Sequence, residues 1–255
     1  MCTDLVVQLV EQGRLSLERI DESVRRILLV KFQLGLFDDP YVDEVEAARV
    51  VGSVEFRAAG HRAQAEAITV LKNDSLLPLA RGMRVFLDGF RPDVSYAGLE
   101  IVTDPDLADV AVIRLGAPFE PRNTYFLEAM THQGSLDFPP DVVGRVRDLA
   151  SRVSVVVDVY LDRPAILTPF EDLGAIVVNF GASDSALLDA LVGEIVPRGK
   201  LPIELPSSMP AVVDGRPDVA SDTALPLYSF GHGLSVTDRD LLVTPSGSRE
   251  GSRRS

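Results

Sequence analysis

Apolar residues follow two different patterns along this chain of 255 residues, and the change comes near residue 83. Between residues 3 and 37 they recur at helical spacing. Ile20, Val24, Ile27, Leu28 and Leu34 line one face of a predicted helix. Ser16 stands where an N-cap belongs, Leu15 and Ile20 are placed to staple the entry, and Gly35 ends the stretch. Arg25, Arg26 and Lys31 fall in its second half, at the negative end of the helix dipole. An apolar stripe of this kind needs a surface to pack on. Residues 38–52 begin with DDPYVD and read as a linker. A second helix, rich in alanine through Ala58, Ala59, Ala63 and Ala67, is predicted from Ser53. It runs into the extended segment ITVLKND and a turn at Asn73 and Asp74.

Beyond residue 83 the pattern becomes alternating strand and helix. Apolar runs at 85–87, 110–113, 153–159 and 176–178 are short and rich in valine and isoleucine, as strands buried on both faces are. Between them lie helical segments at 140–150 and 183–191; Ser183 is a good N-cap and Gly193 a good stop. The class is α/β, with a mostly parallel sheet flanked by helices. The tail at 238–255 loses apolar periodicity and reads as disordered.

Composition narrows the function. With 46% hydrophobic residues the chain can bury a sizeable core, and a formal charge of −13 argues against nucleic acid and anionic membranes as partners. The only cysteine, Cys2, leaves no internal disulfide or cysteine-based metal site. The start lacks a basic segment followed by an apolar run, which favours a cytoplasmic location, and no apolar stretch approaches the ~20 residues needed to span a bilayer. The strand VFLDGF leads into RPDVSYAG, not into a glycine-rich phosphate cradle, so a nucleotide or flavin domain fits poorly. His61, His132 and His232 lie too far apart to suggest a metal site. His61 reads as a surface residue and His232 as a packing or capping residue.

Five segments in order resemble the second half of the family 3 glycoside hydrolases, the β-glucosidase family. They are RIDESVRRIL with KFQLGLF, AEAITVLKNDSLLPL, LDRPAIL, GKLPIELP within a longer match from NFGASD, and PLYSFGHGL. The resemblance implies a C-terminal α/β sandwich preceded by a helical remnant of a (β/α)8 barrel. It divides the chain into a barrel remnant at 1–37, a linker and connecting helix at 38–82, the sandwich at 83–237 and the tail at 238–255. It implies a retaining β-glycosidase, by default a β-glucosidase, with a β-glycoside substrate, the N-terminal barrel as partner and no cofactor. The nucleophilic aspartate of that family lies on the barrel, upstream of the first segment, so the resemblance implies inactivity without it. The alternative is a non-catalytic sugar-binding or structural module derived from the family.

A retaining mechanism needs a second carboxyl group to protonate the leaving oxygen. Many family members carry it on a loop resembling G-E-x-P-Y-x-E, and here the counterpart is LGAPFEPRNTYFLEAMTHQGSLDF at 115–138. Gly116, Pro118 and Phe119 match, Ala117 replaces the first glutamate, and Glu120 stands one residue before the second. Glu120 is therefore the candidate acid/base and Glu128 the alternative; without a catalytic role Glu120 is an exposed loop residue and Glu128 a helical-face residue. His132 and Asp137 are candidates to line the sugar site, against ordinary turn residues. Arg163 suits bridging of carboxylates or carbonyls, with a structural ion pair as its first reading. Gly199 and Pro202 suggest a turn into an edge strand, and Gly231 and Gly233 suggest tight turns around Phe230.

Overall fold

The computed structural model describes residues 2–216 and 218–235; the tail at 238–255 lies outside the described residues. The chain separates into two compact units, 1–56 and from Arg57 onward.

In the first unit the predicted helical stretch is two helices, α1 (Cys2–Glu11) and α2 (Leu17–Gln33). The break comes at Gly13, which takes φ +67°. Ser16 caps α2, its Oγ accepting from the Arg19 N–H at 3.2 Å. At the other end Gly35 adopts φ +68°, the left-handed geometry that stops helices at glycine. No residue of α2 is buried, and Val24, Ile27 and Phe32 are exposed. The expected linker at 38–52 contains a short helix, α3 (Glu44–Val50). Its signal is Asp43, whose carboxylate accepts from the N–H groups of Val45 and Glu46 and so caps the helix.

The helix α4 (Val54–Ala67) leads into the sheet of the second unit. Six strands form it: β1 (Thr69–Asn73), β2 (Arg84–Asp88), β3 (Glu100–Val102), β4 (Val110–Gly116), β5 (Ser154–Tyr160) and β6 (Ala175–Asn179). Their order is β1-β6-β5-β4-β2-β3; β1 runs antiparallel to β6 and every other pair is parallel. This is the mostly parallel sheet expected. β3 was not predicted, because three residues are too few to show a period. The four longer runs fall on β2, β4, β5 and β6.

Alternation along the strands builds a core on each face. Ala111, Ile113 and Leu115 of β4 join Val155, Val157 and Val159 of β5 beneath Val146 and Leu149 of α5 (Pro140–Ala150). Val110, Val112, Val156 and Val177 face the other way, against Ala65 of α4 and Ala186, Leu187 and Leu191 of α6 (Asp184–Leu191). Ser183 caps α6, as predicted.

The edge strand expected after Gly199 does not form. Residues 199–206 make a single bridge, Leu205 to Tyr228, because Pro202 and Pro206 supply no N–H to a ladder. The segment is held instead by close backbone approach. The Gly199 N–H donates to Ile68 at 3.1 Å, and a Cβ on Gly199 would run into the Ala67 carbonyl and Thr69 Oγ1. Gly231 turns the chain at φ +78°, and His232 Nε2 reaches the Leu71 carbonyl at 2.9 Å. A short helix, α7 (Met209–Asp214), follows where none was expected; Ser208 caps it. His61, expected at the surface, is half-buried and joins α4 to α6 through Asp189 at 2.5 Å. Tyr96 donates to the other oxygen of the same carboxylate at 2.6 Å.

At the C-terminal edge of the sheet a charged cluster replaces the apolar core. Arg114 pairs in register with Asp158 on the neighbouring strand, and its Nε donates to that fully buried carboxylate at 3.0 Å. Its Nη1 reaches Asp184 at the start of α6 at 2.5 Å, and its Nη2 the Ala182 carbonyl at 2.9 Å. Asn179 of β6 donates to both oxygens of Asp158, at 2.8 and 3.0 Å.

Two outcomes are expected. Gly199→Ala forces a backbone shift and costs about 1–3 kcal/mol, as overpacking does; an unchanged urea midpoint contradicts it. Burial pushes the Asp158 carboxyl up to about 6, against the pull of Arg114 and Asn179. The folded chain therefore holds this proton more tightly than the unfolded chain between roughly pH 4 and 6, and this contribution to stability declines as pH rises through that window. The stability difference between the native chain and Asp158→Asn, measured by urea unfolding, should shift against the native chain from pH 4 to 6.5. A difference that moves the other way contradicts the assignment.

Candidate functional site

The strand order places a topological switch between β2 and β4: the chain goes from β2 out to β3, then crosses back to the other side of β2. Open α/β sheets bind ligands at the C-terminal ends of strands beside such a switch. Gly89 and Arg114 stand at this point and, with Tyr160, Asn179, Gly181 and Ala182, line a crevice of about 390 Å³. Gly89 is required there, since its φ is +80° and a Cβ would strike the Arg114 carbonyl.

The long loop that leaves β4, residues 117–138, is anchored at both ends and open in the middle. Ala117 and Pro118 are buried, and the Ala117 N–H donates to the Tyr160 carbonyl at 2.9 Å, tying the end of β4 to the end of β5. At the far end Leu136 and Phe138 are buried; Phe138 packs edge-on against Phe170 at 5.1 Å. Between these anchors Tyr125, Phe126, Leu127 and Met130 are exposed. The loop closes on itself through the Glu120 N–H, which donates to the Gln133 carbonyl at 2.8 Å.

Glu120 is thus fixed beside the returning arm of the loop. Its Oε1 accepts from the Ser135 N–H at 3.1 Å and its Oε2 from Arg122 at 3.2 Å. The Ser135 hydrogen bond first, and then Arg122, hold the carboxyl below its ordinary value, with the Arg163 charge adding to the effect. Gly134, at φ +84°, leaves room for this carboxylate, which any Cβ there would displace. As built, Glu120 is a hydrogen-bonded anion.

The other candidates divide. His132 sits on the same returning arm, one residue before Gln133. Its Nδ1 is hydrogen-bonded to Asp162, and its ring lies flat on Phe119, 3.8 Å away and 8° from parallel. Glu128 turns inward on its own segment: its Oε2 accepts from the Tyr125 N–H at 2.9 Å, in a single turn of 3-10 helix at 128–130. Asp137 is exposed and accepts from Ser135 Oγ at 3.2 Å, a local turn contact. The structure therefore brings Glu120 and His132 to one loop closure and leaves Glu128 and Asp137 in local turns.

Among the described residues Arg163 makes no ion pair, contrary to its first reading. Its Nη2 donates to the Gly134 carbonyl at 2.7 Å, and its Nη1 is buried with no hydrogen-bond partner among the described residues. Asp162 and Arg114 were missed. Asp162 follows β5 by two residues, at the same edge as Glu120, and directly precedes Arg163. Arg114 interrupts an apolar strand with a charge, the signal that could have found it. Among the described residues no cluster of three metal-ligating side chains occurs, and no helix is long and apolar enough to cross a membrane.

No protein-family profile matches the chain. It is similar to a periplasmic β-glucosidase/β-xylosidase from Dickeya chrysanthemi, 44% identical over 236 residues, covering 90% of this chain and 36% of that protein. It is similar to β-glucosidase C from Emericella nidulans, 40% identical over 241 residues, covering 92% of this chain and 39% of the relative. The chain thus spans little more than a third of the length of these curated relatives. Among solved structures, a β-glucosidase from Erythrobacter marinus superposes with a TM-score of 0.62 at 22% identity, over 91% of this chain and 42% of that one. The β-D-glucoside glucohydrolase of Trichoderma reesei gives 0.59 at 20% identity, over 92% and 44%. The six-stranded sheet and its helices are the fold of the C-terminal domain in family 3 β-glucosidases.

Removing Arg122 tests the electrostatics of the loop. Arg122→Ala should raise the Glu120 carboxyl towards its ordinary value without unfolding the domain, as read by NMR titration of the Glu120 carboxyl carbon. A titration that does not move would mean that the Arg122 contact does not hold the anion.

Proposed function

The chain is a relative of the family 3 β-glucosidases and carries their C-terminal α/β domain, and on that premise we propose that it serves hydrolysis of β-glycosides with retention, as one part of a catalytic unit. The nucleophilic carboxylate comes from a barrel domain outside this chain. Residues 1–37 are the end of that barrel, and residues 38–82 connect it to the sandwich at 83–237. The exposed stripe of α2 is then covered by the barrel, which accounts for apolar side chains such as Ile27 and Phe32 at the surface of this chain.

The observation that carries this reading is the extended sequence likeness to named β-glucosidases, which reaches through the loop at 117–138. Glu120 is the proton donor of that loop. It stands beyond the C-terminal end of β4 on a segment pinned by Ala117, Leu136 and the Gln133 carbonyl. In the open loop its carboxyl is held as the anion. Covering the loop with the barrel and substrate removes water, which favours the neutral acid and lifts the pKa towards a working value. The acid then gives its proton to the leaving oxygen while the barrel carboxylate attacks the anomeric carbon. In the second step the same carboxylate takes a proton from water.

The anchored, anionic state of Glu120 favours a second reading, in which the domain binds sugar or braces the barrel and supplies no proton. One substitution separates the two. In the natural protein that carries this chain, Glu120→Gln should slow cellobiose hydrolysis about 10²–10⁴-fold, the range of general acid catalysis. A 2,4-dinitrophenyl β-glucoside, whose leaving group needs little protonation, should lose less than tenfold in its first step. Equal, small losses on both substrates would favour the bracing role.

A further inference from the structure

We infer that His132, oriented by Asp162, is the group that reads the leaving-group sugar, so that this site favours saccharide over aryl leaving groups. The inference deepens the preceding proposal and rests on it. Asp162 is a carboxylate and has no proton to give, so in the neutral imidazole Nδ1 is the donor and Nε2 carries the lone pair. Nε2 meets no partner among the described residues. Two contacts fix where it points: the hydrogen bond to Asp162 and the flat stack on Phe119. Phe119 directly precedes Glu120, and the Glu120 N–H is bound to Gln133, the residue after His132. The oriented acceptor therefore belongs to the same loop closure as the carboxylate. The imidazole remains 44% exposed and Asp162 25%, so the pair is open to a ligand and is not a packed core histidine.

The chemistry selects a ligand that donates. A saccharide leaving group presents hydroxyls, each able to donate to Nε2. A nitrophenyl ring presents none. A site built to bond a hydroxyl discriminates against the analogue that lacks it, most strongly where water is excluded. His132 is partly open to water, so the expected discrimination is about tenfold and not several orders of magnitude. Asp162 is a positioning residue here, acting through the imidazole.

His132→Phe keeps a ring to stack on Phe119 and removes Nε2. In the natural protein carrying this chain it should raise the KM for cellobiose about 5–10-fold and change kcat less than twofold. The KM for 4-nitrophenyl β-glucoside should rise less than twofold. Asp162→Ala, which frees the ring, should move cellobiose KM in the same direction by a smaller factor. Equal changes on both substrates, or a loss confined to kcat, would overturn the inference. If the unmodified protein cleaves neither substrate, the hydrolytic reading fails, and an NMR titration of this chain with cellobiose decides the remainder. A shift of the His132 Cε1–H resonance that weakens in Asp162→Ala supports a saccharide site, and no shift overturns it.

Discussion

The C-terminal edge of the sheet depends on placing one guanidinium between two buried carboxylates. Arg114 comes up from β4 between Asp158 of β5 and Asp184 of α6, and each of its nitrogens has an acceptor. Two carboxylates around one cation leave an excess of negative charge in a poorly solvated place. Asn179 relieves it at Asp158 with both hydrogen bonds of its amide, and Arg91 relieves it at Asp184 at 3.1 Å. Leaving any of these groups buried without its partner would cost several kcal/mol, so the cluster specifies one arrangement of β4, β5, β6 and α6. Phe90, beyond β2, lies over the same guanidinium at 5.5 Å, which brings the fourth strand end into the arrangement. The ends of the strands are thereby fixed before any loop departs from them.

What departs from that edge is a loop of mixed character. Its ends are hydrophobic and buried, and its centre carries aromatic and aliphatic side chains in the open. The polar contacts sit at the junction: Glu120 against Ser135 and Arg122, His132 against Asp162, Arg163 against the Gly134 carbonyl. Each of these fixes an orientation, and together they hold the Glu120 carboxyl as an anion and aim the His132 ring with its Nε2 open. A carboxyl that must give a proton needs the reverse environment, drier and less well supplied with donors. The proton chemistry proposed for Glu120 therefore requires the proposed covering of the loop, whereas the orientation of the loop is a property of this domain.

The same division runs through the glycines. Gly134 is required by the side chain of Glu120, Gly89 by the backbone of Arg114, and Gly199 by the start of β1. None of these constraints is local in sequence. Each is a close approach between segments that lie apart in sequence, and an added Cβ at any of them collides with a group fourteen or more residues away.

Sequence alone determined the class of fold and most of its elements. Valine-rich runs with short lengths mark strands buried on both faces, and Ser16 and Ser183 mark helix starts because the capping hydroxyl and its N–H partner lie three residues apart. It missed β3 and α7, which are too short to display a period, and it expected an edge strand after the turn at Gly199 and Pro202, although Pro202 and Pro206 supply no donors. It singled out the loop at 117–138 and, within it, Glu120 and His132. It could not say which loop residues meet, because Glu120 finds Ser135 across fifteen residues and His132 finds Asp162 across thirty. Nor could it reveal Arg114 as the centre of the edge, since a charge inside an apolar strand has meaning only once its neighbours Asp158, Asn179 and Asp184 are in place. Local pattern fixes local geometry through hydrogen bonds of short span; the site is made of contacts between distant segments, and only the tertiary structure decides those.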